Sequence, residues 1–122
     1  MNNISNEERS ILEIAVKTLD SKKASDLKVI KIGNVSSLAN YFVIASGTSS
    51  TQVKTLADET EAKLKEAGYI PELATNHRGS EWVVLDYIDV VVHIFYTEAR
   101  SYYELDRLWE DGELIDADEF LG

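Results

Sequence analysis

Several side chains in this 122-residue chain are of types that do chemistry. The stretch Ser46-Gly47-Thr48-Ser49-Ser50-Thr51 leads from an apolar run into a segment of helical periodicity. Backbone N–H groups and hydroxyls at such a helix start can hold a phosphate. The stretch lacks the paired glycines and the Gly-Lys-Ser/Thr ending of a P-loop, whose lysine would reach the phosphates. Ordinary capping of the helix that follows explains the hydroxyls equally well. Asp86 and Asp89 invite a metal, since two-metal transfer needs carboxylates converging on ions ~4 Å apart, most simply from positions i and i+2 of one strand face. These two are three apart and flank a turn, so they end different strands. Asp116 and Asp118 have the i, i+2 spacing but lie in an acidic end without strand character. Solvation is the simpler reading of both pairs.

His77 and His93 are the only histidines. His93 falls in the strand-like run Val90–Tyr96 and shares a face with Asp89, Val91 and Phe95. It reads first as a polar residue on a half-exposed sheet face and next as an interface contact. A general base comes last, because no Ser or Cys nucleophile pattern accompanies it. His77 has no evident chemistry. Trp82, Tyr87, Tyr102, Tyr103 and Trp109 crowd the last third of the chain. Tyr102, Leu105 and Trp109 stand at i, i+3 and i+7, one helical stripe that suits core packing. Tyr103, Asp106 and Arg107 must then point elsewhere, and exposed Tyr, Trp and Arg are the types that anchor protein interfaces.

The elements that would position these residues follow from periodicity. Ser5 with Glu8 is a capping box, and Ile11, Leu12, Ala15, Val16 and Leu19 carry a first helix to about Asp20 or Lys22. Leu27–Ile32 reads as a strand, and Tyr41–Ala45, apolar on both faces, as a central strand covered on two sides. A second helix has the inward stripe Val53, Leu56, Ala57, Thr60, Leu64 and Ala67, with Gly68 as its left-handed stop. Pro71 opens an irregular stretch up to Ser80. Strands Trp82–Leu85 and Val90–Tyr96 follow, then a third helix from about Glu98 to Trp109 with Thr97 as its cap. The order α-β-β-α-β-β-α predicts a single α/β (α+β) domain, a mixed sheet flanked by helices.

Composition bounds the partners. There are 22 acidic and 12 basic side chains, a net charge of −10, and 44% hydrophobic residues, enough for a real core. Such acidity opposes binding of bare nucleic acid or an anionic membrane surface. Nine acidic against two basic side chains in residues 98–122 hold −7 of that charge, which fits a docking surface for a basic partner. There is no cysteine, hence no disulfide, thiolate nucleophile or Cys-built zinc site. No signal-peptide pattern opens the chain, and the longest apolar run, Tyr41–Ala45, is far below the ~20 residues of a membrane span. A cytoplasmic location is expected, with no cofactor and no metal.

Three blocks carry a family resemblance. Asn40-Tyr41-Phe42-Val43-Ile44-Ala45-Ser46-Gly47-Thr48-Ser49 is the first. Trp82-Val83-Val84-Leu85-Asp86-Tyr87-Ile88-Asp89-Val90-Val91-Val92-His93-Ile94-Phe95 is the second. Glu98-Ala99-Arg100, with Tyr103-Glu104-Leu105-Asp106-Arg107-Leu108-Trp109, is the third. In order and spacing they resemble the Iojap/YbeB family of ribosomal silencing factors, over roughly residues 5–113. The resemblance implies a fold related to nucleotidyltransferases but without the catalytic carboxylates, and no enzymatic activity. It implies binding to ribosomal protein fourteen of the large subunit, where the factor would block joining of the small subunit and repress translation under nutrient limitation. A homodimer is also implied. On this reading residues 1–113 are the silencing-factor domain and 114–122 its acidic C-terminal tail.

Two positions depart from the family's pattern. Asn40 stands where the family has Asp, keeping a hydrogen-bonding side chain without its charge. Ile88 stands where it has Gly. A two-residue hairpin turn favours φ > 0, which Ile resists, so a wider turn or one of another type is expected. The expected docking surface is Trp82, Asp86, Tyr87, Asp89, His93, Tyr103, Leu105 and Trp109. The aromatics and Leu105 would form the desolvated centre, and the carboxylates would meet Lys or Arg. The rival readings are a metal-dependent nucleotidyltransferase using the Ser46–Thr51 loop with Asp86 and Asp89, and a dimeric adaptor for another basic protein.

Overall fold

A computed structural model describes residues 5–33, 39–77, 79–99 and 112–121. Helix α1 (Asn6–Ser21) starts as the capping box requires, with Glu8 N–H donating to Ser5 Oγ and Ser5 N–H donating to Glu8 Oε1, both at 3.0 Å. Strand β1 (Ser25–Lys31) and strand β2 (Tyr41–Gly47) run antiparallel, and every residue of β2 is buried, as its two-sided apolarity demands. Helix α2 (Ser50–Glu66) ends in a Schellman arrangement. Tyr69 N–H donates to Leu64 O at 2.8 Å and Gly68 N–H to Lys65 O at 2.9 Å, with Gly68 at φ +95°. Ala67, placed on the inward stripe by periodicity, is exposed because the helix has ended there.

Strands β3 (Leu73–His77), β4 (Trp82–Asp86) and β5 (Val90–Tyr96) form an antiparallel meander, and β5 lies parallel to β2. A short β6 (Glu113–Ile115) pairs with β1, closing a six-stranded mixed sheet of order β3-β4-β5-β2-β1-β6. The single α+β domain with a mixed sheet is as the periodicity predicts. Two strands are not. Leu-Ala-Thr-Asn-His has weak strand propensity and follows a proline, so β3 is specified by its pairing with β4 rather than locally. β6 is three residues inside an acidic segment, and β1 supplies its partner.

The helices cover one face of the sheet. Ile11, Leu12, Val16 and Leu19 of α1 and Val53, Leu56 and Leu64 of α2 close over Val29, Val43, Ala45, Leu85, Val92 and Ile94. Phe120, on a 3-10 turn after β6 (Ala117–Phe120), is 2% exposed in this same core, with the Arg9 guanidinium over its ring at 5.6 Å. The acidic C-terminal segment is therefore packed at least through Phe120. The opposite face gathers Ile30, Ile32, Phe42, Ile44, Val91 and Phe95, with Trp82 and Val84 half-buried against them. The predicted third helix falls mostly on residues 100–111, outside the described residues. Its expected cap Thr97 opens a 3-10 turn (Thr97–Ala99) and donates its hydroxyl to Gly47 O at 2.9 Å, tying the end of β5 to the end of β2. No helix among the described residues is long and apolar enough to cross a membrane.

Candidate docking face

Register decides which side chains of β3 and β4 share a surface. Leu73 pairs with Asp86, Thr75 with Val84, and Trp82 with Phe95. Paired residues of an antiparallel ladder point the same way, so Trp82, Val84 and Asp86 form a row with Leu73 and Thr75 beside it, all on the face away from the helices. At ~3.4 Å per residue the row from Trp82 to Asp86 spans about 14 Å. Trp82, Val84 and Asp86 are half-buried, and Leu73 is 54% exposed.

The indole of Trp82 is held on two sides. It stacks on Phe95 at 5.4 Å between centroids with planes 15° apart, and its Nε1–H donates to His93 Nδ1 at 3.1 Å. His93 is 5% exposed, which corrects the expectation of a half-exposed residue. Val84 and Phe42 crowd it, the Phe42 ring lying 4.4 Å away, because β5 is an interior strand with both faces covered. Burial pushes its imidazolium pKa down to about 3, so the ring is neutral, and its Nε2 has no partner among the described residues.

At the end of the row the chain turns on Ile88-Asp89. Ile88 takes φ +72° with an i to i+2 hydrogen bond across it, so the turn is not wider but of another type, the second of the two expected outcomes. The surroundings over-determine it. Asp86 Oδ1 accepts from Ile88 N–H at 2.8 Å, Asp89 N–H donates to Tyr87 O at 2.9 Å, and Tyr87 N–H donates to Val90 O at 2.9 Å. Asp89 O in turn accepts from the N–H groups of Asn40 and Tyr41 at 2.9 and 3.0 Å. The Asp89 side chain is exposed, and the Ile88 side chain is 59% exposed beside it.

Tyr87 points the other way. It is buried in the helix-side core, where burial first and the Glu61 charge second push its phenol pKa up. The expected surface is thereby split. Trp82, Asp86 and Asp89 come to one side and edge of the sheet, while Tyr87 and His93 are interior. Tyr103, Leu105 and Trp109 lie outside the described residues. The reading missed Leu73, Val84 and Ile88 as surface residues. Alternation in Trp82–Asp86 already puts Val84 beside Trp82, whereas Leu73 became visible only through the β3–β4 register.

The hydroxyl loop serves the helix. Ser49 is the N-cap of α2, its Oγ accepting from Gln52 N–H at 3.0 Å, and Gln52 Oε1 takes the Thr48 N–H at 2.6 Å. A side chain at Gly47 would meet Val53 N and Cγ2 at 3.0 Å, so the glycine permits the close strand-to-helix turn. Among the described residues, no three His, Asp or Glu side chains gather as a metal would need.

The family model described as "Ribosomal silencing factor during starvation" matches residues 5–121. The ribosomal silencing factor RsfS of Bacillus subtilis is 38% identical over 111 residues, 91% of this chain and 94% of that protein. A crystal structure of a Chromobacterium violaceum protein superposes with a TM-score of 0.78 at 34% identity, covering 88% of each chain. More distantly, a Mus musculus protein named for mitochondrial assembly of the ribosomal large subunit is 27% identical over 101 residues, 80% of this chain and 44% of its own. A match across nearly the whole chain, with this fold and the first two sequence blocks on β2 and on β4 and β5, places the chain in the ribosomal silencing factor family, RsfS.

Proposed function

We propose that the protein is a non-enzymatic translation repressor that docks on the large ribosomal subunit through its protein fourteen and sterically prevents the small subunit from joining. The observation that carries this reading is the row Trp82, Val84, Asp86 with Leu73 beside it and Ile88 and Asp89 at its end. It sets a fixed indole and aliphatic side chains among carboxylates on one side of the sheet. Buried aromatic anchors within a polar rim are what protein interfaces are made of, and carboxylates in that rim favour a Lys- or Arg-rich partner. The relatives' names, silencing of ribosomes in bacteria and assembly of the large subunit in mitochondria, support the same partner. Tyr103, Leu105 and Trp109 belong to this proposal as further contacts. A standard interface needs only ~800 Å² per partner, with a few anchors carrying most of the energy.

Co-sedimentation with purified large subunits tests it. Wild type should pellet with them, and Trp82→Ala should weaken the association by about 2 kcal/mol, roughly thirtyfold, while remaining folded. A wild-type protein that stays in the supernatant overturns the reading. Unchanged binding by folded Trp82→Ala removes Trp82 from the docking surface.

A further inference from the structure

We propose that His93 is a positioning residue for Trp82, an inference resting on the docking role of Trp82 given above. His93 sits diagonally across the β4–β5 ladder from Trp82, on the same sheet face, where long aromatic side chains reach one another. Its Nδ1 accepts the indole N–H at 3.1 Å, so the ring's proton is on Nε2. That Nε2 is buried without a partner among the described residues. A buried polar atom left unpaired is unfavourable, and Leu or Phe would fill this space without it. What an imidazole adds among Phe42, Trp82 and Phe95, and a hydrocarbon does not, is an acceptor aimed at the indole.

Two of the contacts that hold Trp82 are complementary. Stacking on Phe95 fixes the plane of the indole, with 15° between rings. Stacking on one ring does not by itself set the rotation of the indole within that plane. The hydrogen bond to His93 opposes such movement and directs the indole N–H inward. An anchor fixed before binding loses less conformational freedom when the complex forms. His93 thus contributes to docking without touching the partner, which is why a buried residue belongs in a docking motif.

A double-mutant cycle tests this, read by affinity for purified large subunits and by the Trp82 indole N–H resonance in the free protein. Trp109→Phe distinguishes that resonance from the other tryptophan's. His93→Phe keeps the volume and removes the acceptor; it should shift the indole resonance and weaken binding five- to tenfold, the net worth of one neutral hydrogen bond. His93→Asn, whose Oδ1 falls near the position of Nδ1, should restore both readouts, with binding within about threefold of wild type. In a Trp82→Phe background, which has no donor, His93→Phe should cost nothing further. The proposal is overturned by a folded His93→Phe protein with an unshifted indole resonance. An affinity loss as large in the Trp82→Phe background as in wild type overturns it equally. Should His93→Phe not fold, His93→Leu replaces it with the same criteria. Failure of the wild type to bind large subunits would remove the docking reading instead, and the resonance alone would then decide the role of His93.

Discussion

A single side chain joins the start of α1 to the start of β2. Glu8 closes the capping box and is 6% exposed, and its second carboxylate oxygen accepts from Asn40 Nδ2 at 2.6 Å. Burial pushes the Glu8 pKa up. Hydrogen bonds from Ser5 and Asn40 and the charge of Lys31 outweigh it, leaving the carboxyl below its usual value. The Glu8 carboxylate therefore stabilises the fold above the unfolded-state pKa, and that contribution is lost as pH falls through the lower folded-state value. The amide at position 40, where the resemblance has Asp, is what makes this contact favourable. Asn40→Asp replaces a donor by a second carboxylate against the buried one of Glu8. Urea unfolding at pH 7 should show a loss of roughly 2 kcal/mol, shrinking toward pH ~4 as one carboxyl takes up a proton. Equal stability at pH 7 would mean the pair contributes nothing. His93 is a second residue whose surroundings outweigh its type: polar by name, it is neutral and interior because its strand is covered on both faces.

Among the elements, legibility followed locality. The capping box at Ser5 and Glu8, the Ser49 cap, the Gly68 stop and the two-faced apolarity of β2 are written in contiguous residues, and each is present in the structure. β3 and β6 are not, because each is short, weakly strand-like and specified by a partner far along the chain. The docking row was half legible for the same reason: β4's own alternation aligns Trp82 with Asp86, but only the neighbouring strand brings in Leu73. The β4–β5 turn is legible in part. Ile88 adopts the left-handed conformation that its branched side chain resists, in a turn of another type closed by Asp89 N–H on Tyr87 O. Five backbone and side-chain hydrogen bonds around the turn hold it. A left-handed β-branched residue costs on the order of 1 kcal/mol relative to Gly. Ile88→Gly should accordingly raise unfolding stability by about 1 kcal/mol in denaturant titration. The same change removes an exposed apolar side chain from the end of the docking row, so it should weaken binding to large subunits. Tighter binding by the stabilised variant would show that Ile88 is no contact.

For the molecule as a whole, the charge of −10 and the proposed docking face suit one kind of partner. An acidic protein gains nothing from the counterion release that drives binding to ribosomal RNA, whereas a basic ribosomal protein complements it. Asp86 and Asp89 bring that acidity beside the Trp82 row, and the most acidic part of the sequence, residues 98–122, includes the segment that closes the helix-side core through Phe120. A two-sided core surrounds β2 and β5, the hydroxyl loop is occupied with capping α2, and the row of β4 stands near one edge of the sheet. The most direct measurement is light scattering of mixed small and large subunits as purified protein is added. Scattering from joined ribosomes should fall and level off near one protein per large subunit, with Trp82→Ala requiring about thirtyfold more for the same effect. Undiminished joining at a saturating excess of folded wild-type protein would contradict the account.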